Sequence, residues 1–188
     1  MNLKTIFLSF FLTLFYVGFS GGNPFEKGYI VTLNGDTIQG EIKLPMMASA
    51  SDKVKFKGVD GKIKTIKPRK YLAIGREGGW SYRRAKAGLF GAPKFVPVVL
   101  NGELSLLEYI TVSKDKYGHE HKSYTYFIQR TKDPASTKKV PLFGFKNFIT
   151  PYIKDDKILL DKIMNQKLDD CYKIVEEYNN RKNGLINE

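Results

Sequence analysis

The sequence predicts a mainly β (α+β) fold, an antiparallel meander, curled sheet or small barrel carrying two or three C-terminal helices. Three observations predict it. Turn-forming pairs recur at Asn34-Gly35, Asp60-Gly61 and Asn101-Gly102; the arms around them alternate apolar with polar residues; and the spacing turns helical after Gly144. On this reading residues 21–144 are the β region, and residues 145–188 are a helical segment packed on the same domain.

Residues 29–33 and 36–44 form the first expected hairpin, across Asn34-Gly35, a pair suited to the left-handed dihedrals of a type I′ turn. Residues 54–57 and 62–66 form the second, across Asp60-Gly61. Residues 95–100 and 103–111 form the third, with Pro97 limiting the pairing of its first strand. Further strands are expected at 71–74, 80–84 and 123–129, and a short arm around 139–143. Tyr124, Tyr126 and Ile128 should share one face, with Thr125 and Phe127 on the other.

Beyond Gly144, residues 145–153 predict a short helix that Pro151 should break. Asp155 and Asp156 suit a helix start, after which Leu159, Leu160, Ile163 and Met164 fall on one face. A last amphipathic stretch follows Asp169-Asp170, with Cys171, Ile174, Val175 and Tyr178 at helical spacing and a stop at Asn183-Gly184. Cys171 is the sole cysteine, so no disulfide forms within the chain, and its place on the apolar stripe predicts burial.

The amino terminus reads as a secretory signal peptide over residues 1–20. Lys4 precedes an uncharged run of fourteen residues, 6–19, and Gly18 and Ser20 are small enough to direct cleavage after Ser20; Ser20 and Gly22 offer a second cut. The run is shorter than the ~20 apolar residues that span a bilayer, so no transmembrane span is expected after cleavage. No cysteine lies near the cut to accept a lipid. The expected location is periplasmic or extracellular, with association to the envelope as a further option. Removing twenty residues from 188 leaves 168, enough for one domain with its own core.

The net charge of +12 is concentrated. Residues 53–94 hold thirteen basic residues against Asp60 and Glu77, a surplus of eleven, whereas residues 141–188 hold eight of each sign. One reading is a solvated sheet face, since Lys55 and Lys57 alternate with Val54 and Phe56, and lysine on strands deters edge-to-edge pairing. The other is an anion-binding surface of Lys67, Arg69, Lys70, Arg76, Arg83 and Arg84 beside Trp80 and Tyr82, in which guanidinium forks grip phosphate, sulfate or carboxylate and aromatic rings stack. For an exported protein this points away from nucleic acid and towards an anionic glycan, lipopolysaccharide or an acidic envelope protein.

The residues Gly28-Tyr29-Ile30-Val31, followed by Gly35-Asp36-Thr37-Ile38-Gln39-Gly40-Glu41-Ile42, resemble the opening of a family of small exported proteins of unknown function from Bacteroidetes-type bacteria. The shared pattern is a signal peptide, a Gly-Asp-Thr-Ile-x-Gly-x-Ile hairpin, further strands and a helical end. Tyr178-Asn179 is similar to the family's terminal signature. The resemblance implies a cell-envelope or secreted location; it carries no activity and no site residues.

Catalytic signatures are sparse. His119-Glu120-His121 places two imidazoles two residues apart, as a strand-borne metal site requires, but no third ligand is identifiable, and Tyr117-Gly118 reads as a hairpin tip. There is no Gly-x-Ser-x-Gly elbow. Asp36, Glu41, Glu103 and Glu108 are scattered carboxylates, of which Asp36 belongs to a turn and the others have basic neighbours. The run Gly75-Arg76-Glu77-Gly78-Gly79 lacks the Lys-Ser/Thr ending of a phosphate loop and reads as a turn. Residues 87–91 form a connection whose apolar Leu89-Phe90 tip is expected to be buried. No catalytic residue, cofactor or metal is assigned. The sequence favours a noncatalytic envelope or secreted binding or structural module; the alternative is an exported hydrolase whose cleft no motif reveals.

Overall fold

In the computed structural model the described residues are 24–44, 51–133, 136–165, 167–168 and 170–185; the segment read as a signal peptide lies outside them. The alternating stretches form strands β1 (Glu26–Thr32), β2 (Thr37–Lys43), β3 (Val54–Gly58), β4 (Ile63–Ile66), β5 (Tyr71–Arg76), β6 (Ser81–Ala85), β7 (Lys94–Leu100), β8 (Leu104–Lys114), β9 (Glu120–Arg130) and the two-residue β10 (Lys138–Lys139). They make one open antiparallel sheet in the order β10-β9-β8-β7-β6-β5-β1-β2-β3-β4. The predicted curled meander is thus what forms, with β1 inserted beside β5.

The hairpins stand where the turn pairs placed them, but with a different turn. Asn34 does not adopt positive φ, whereas Gly35 does (92°), and the Gly35 N–H donates to the Thr32 carbonyl at 3.2 Å. This is a type I turn followed by a left-handed glycine, rather than the expected type I′. Gly61, whose N–H meets the Gly58 carbonyl at 2.9 Å, and Gly118, whose N–H meets the Asp115 carbonyl at 3.0 Å, repeat the arrangement.

Register decides the core. Ile30 pairs with Ile74, Ile42 with Phe56, Ile74 with Tyr82, and Arg84 with Phe95, which puts the apolar members on one face. That face curls around a cluster of Ile30, Ile42, Val54, Phe56, Ile66, Ile74 and Phe95. Two main-chain bonds of 2.9 Å between Ser51 and Phe95 pin the approach to β3 against β7 across the curl. Gly40 is required here: a Cβ would run into the Phe56 ring and the Lys57 carbonyl oxygen, so the glycine of the Gly-x-Ile motif makes room for an aromatic on the next strand.

A bulge between Val98 and Leu100 then shifts register, pairing Val98 with Leu107 but Leu100 with Leu106. Leu100 is thereby returned to the face of Leu104, Leu106 and Ile128. Three helices cover that face: α1 (Phe145–Ile153), α2 (Lys157–Met164) and α3 (Cys171–Lys182). Ile149, Ile153, Leu159, Ile163, Ile174, Val175 and Tyr178 are fully buried in this second cluster. Each such side chain contributes about 1.5–3 kcal/mol of transfer free energy.

Two helical expectations are corrected. Pro151 lies inside α1 without ending it, because in the last turn of so short a helix it removes only one interior hydrogen bond. Met164, expected on the apolar face, is exposed at the end of α2. Asp156 and Asp170 cap α2 and α3, accepting the N–H of Leu159 at 3.0 Å and of Lys173 at 2.9 Å. Cys171 packs at the edge of the helical core and is half-buried. Among the described residues no helix is long and apolar enough to cross a membrane.

Candidate functional site

The eight residues expected to form an anion-binding surface separate into four places. The connection between β4 and β5 is a tight turn, with the Lys70 N–H on the Lys67 carbonyl at 3.0 Å and Pro68 buried at its second position. It fans Lys67, Arg69 and Lys70 into solvent. Because β6 runs antiparallel to β5, its end brings Arg84 alongside this turn. Arg76 lies at the other end of β5, roughly 16 Å away at about 3.3 Å per residue, and its Nε meets Glu26 Oε2 at 3.2 Å.

Trp80 and Tyr82 supply no open stacking platform. They pack edge-to-face at 5.5 Å against the first core cluster, and burial raises the Tyr82 hydroxyl above its ordinary pKa. Arg83 points to the opposite face from Tyr82 and Arg84, where it stands between Ala73 and Val96, and its buried Nε has no hydrogen-bond partner among the described residues. The alternation that makes β6 a strand therefore divides the Arg83-Arg84 pair.

What assembles instead is a pair of adjoining hollows that share Arg69 and Pro93. The first, about 290 Å³, is lined by Arg69, Arg84, Lys86 and Thr137 around Ala85. The second, about 380 Å³, is lined by Lys67, Arg69, Lys94 and Asp52 beneath Leu89. Lys94 Nζ is 3.6 Å from Asp52 Oδ1. No carboxylate of the described residues pairs with Lys67, Arg69, Arg84 or Lys86. The first hollow thus gathers Arg69, Arg84 and Lys86 with no carboxylate among its described lining residues, and Lys67 stands at the second beside the Lys94–Asp52 pair, so a net positive field is available to an anion. Lys86 and Lys94 belong to the basic stretch, but only the antiparallel return of β6 into β7 places them here; Thr137 arrives from beyond β9, more than forty residues on, without a sequence signal.

The loop above the cleft corrects a further expectation. Leu89 is 86% and Phe90 107% exposed, so the apolar tip is not buried.

Elsewhere the groups behave as structural elements. The imidazoles of His119 and His121 bracket Asp115, at 3.1 and 3.4 Å from its Oδ2, on the exposed β8–β9 tip. The same carboxylate accepts the main-chain N–H of Tyr117 at 2.8 Å and of His119 at 3.0 Å. No group of three or more His, Cys, Asp or Glu able to hold a metal occurs among the described residues. Glu41 pairs with Lys57 at 3.1 Å, and Glu103 with Lys132 at 3.5 Å and Arg130 at 3.8 Å. The glycine-rich run after Gly75 closes the β5–β6 turn, with the Arg76 N–H on the Trp80 carbonyl at 2.8 Å.

Comparison with protein-family models, with curated proteins and with solved structures finds no match in any of the three.

Proposed function

We propose that the protein is an exported, noncatalytic binding module of the cell envelope whose cleft takes a phosphate, sulfate or carboxylate group carried by an anionic glycan or lipopolysaccharide. The observation that carries the proposal is the convergence of Arg69, Arg84 and Lys86 on one hollow without a neutralising carboxylate. Two guanidinium groups offer planar forks for a tetrahedral or planar oxyanion, and Lys86 adds a mobile point charge. Lys67 extends the positive field into the second hollow, where Lys94 is offset by Asp52, so a ligand with repeated charges gains over a single one. The location rests on the amino-terminal segment: cleavage after Ser20 releases the sheet across the inner membrane.

Titration with lipopolysaccharide and with inorganic polyphosphate tests the reading. Affinity should fall steeply as salt rises, since exposed charges are screened beyond ~10 Å at 0.1 M. Arg69→Glu combined with Lys86→Glu should abolish binding, whereas Lys55→Glu, on β3 and lining neither hollow, should change it little. Equal affinity in the cleft variant and the parent protein would end the proposal. Amino-terminal sequencing of the protein recovered from cells checks the compartment, the expected first residue being Gly21.

A further inference from the structure

We infer that this cleft is a bilayer-docking site: the Leu89-Phe90 tip enters the surface of an anionic lipid membrane while Arg69, Arg84 and Lys86 hold lipid phosphates beneath it. The inference rests on the cleft being an anion site and names the assembly that carries the anion.

The tip is built to stand out. The Gly88 N–H meets the Ala92 carbonyl at 2.9 Å, the Gly91 N–H meets the Gly88 carbonyl at 3.0 Å, and the Ala92 N–H meets the Leu89 carbonyl at 3.1 Å. This closed turn leaves Leu89 and Phe90 projecting from a backbone that is already ordered, so insertion costs little further conformational entropy. Phe90 has φ 53° and ψ 27°, the one non-glycine residue at positive φ among those described. A bulky residue in that region is unfavourable, and the surrounding bonded turn imposes it. Core packing does not account for a phenylalanine at this position, because its side chain is wholly in water.

The surroundings identify the partner. Leu89 itself lines the hollow with Lys67, Arg69 and Lys94, and Lys86 stands on the ascending side of the loop. An apolar pair framed by cations matches a membrane interface, where acyl chains take the side chains and headgroup phosphates take the charges within one layer. A soluble glycan offers the anions but no apolar phase for a leucine. A groove in a protein could receive the tip, yet it would have to present acidic groups on both sides of it; an anionic bilayer presents them in every direction.

The test uses the full chain with Phe90→Trp, mixed with vesicles of phosphatidylglycerol and phosphatidylcholine or of phosphatidylcholine alone. The tryptophan at position 90 should shift to the blue and be quenched by brominated acyl chains only with the anionic vesicles, a local readout that the amino-terminal segment does not supply. Phe90→Ser should weaken sedimentation with anionic vesicles about tenfold or more, while binding to inorganic polyphosphate stays as in the parent. Arg69→Glu with Lys86→Glu should lose both. If position 90 stays in water on anionic vesicles, or the serine variant sediments like the parent, lipid docking is overturned and the anion cleft survives. If the serine variant loses polyphosphate as strongly as vesicles, the tip belongs to the anion site itself and docking is again overturned. Unchanged polyphosphate binding in the Glu variant would remove the cleft and the docking together.

Discussion

The side chain of Asn179 on α3 clasps the main chain of Leu104 on β8 in both directions: the Leu104 N–H donates to Asn179 Oδ1 at 3.0 Å, and Asn179 Nδ2 donates to the Leu104 carbonyl at 2.8 Å. Both residues are buried, so the carboxamide replaces a missing strand at the start of β8 and ties the helical layer to the sheet.

Replacing Asn179 by Ala leaves two buried main-chain groups unpartnered and should lower stability by about 2–4 kcal/mol in urea unfolding. Gly102 belongs to the same device, since a Cβ there would collide with the Asn179 carboxamide. Gly102→Ala should therefore destabilise the parent and cost less in the Asn179→Ala background. A coupling of about 1–2 kcal/mol is expected from the double-mutant cycle, and strict additivity would refute the link.

A buried ion pair holds the helices to one another. Arg181 Nε lies 2.7 Å from Asp156 Oδ2, with the two side chains 13% and 8% exposed, while the other carboxylate oxygen caps α2. Arg181→Met strands a buried carboxylate and should cost about 3–5 kcal/mol. Asp156→Asn, which keeps the cap but not the charge, should cost less than that. The order of the two melting midpoints checks the assignment.

Asp155 and Lys182 link the same layer to pH. Desolvation alone would raise Asp155, but the bonds from Lys182, its own backbone N–H and the Tyr178 hydroxyl outweigh it and hold the carboxyl below its ordinary 3.8. The Asp155 hydrogen bond, only partly opposed by desolvation, holds Lys182 above its ordinary 10.5. Asp155 therefore contributes stability above pH 3.8 that is lost as the pH falls through its lowered value. Lys182 contributes below pH 10.5 and loses its share as the pH rises through its raised value. Asp155→Asn should be less stable than the parent at neutral pH, with the gap narrowing at both extremes.

Cys171 should be a sluggish thiol. Burial first, and the charge of Asp170 second, push it up to about 12. At pH 8 the thiolate fraction falls by about three orders of magnitude relative to a free cysteine near 8.5, and native alkylation by iodoacetamide should slow accordingly. Unfolding in urea should restore the ordinary rate.

Asn101-Gly102 shows where reading the chain reaches its limit. The pair marks the β7–β8 turn, yet Gly102 is not among the residues at positive φ; it is glycine because Asn179, 77 residues later, needs the space. Gly40 likewise reads as one position of a short hairpin motif, whereas its physical reason is the ring of Phe56 on the neighbouring strand. The three left-handed hairpin glycines were legible because their requirement is local. These two were not, because theirs is a contact.

The sequence by itself determined the succession of strands and helices, the positions of most turns and the concentration of the positive surplus in 42 residues, because periodicity, turn chemistry and composition act over a few neighbours. Only the tertiary structure decided which of those charges meet. Antiparallel return brought Arg84, Lys86 and Lys94 to the Lys67 and Arg69 turn and carried Arg76 to the far end of β5, while the period of two in β6 turned Arg83 away from Arg84. A binding site is a set of directions in space, and register with strand polarity, both fixed by long-range pairing, sets those directions.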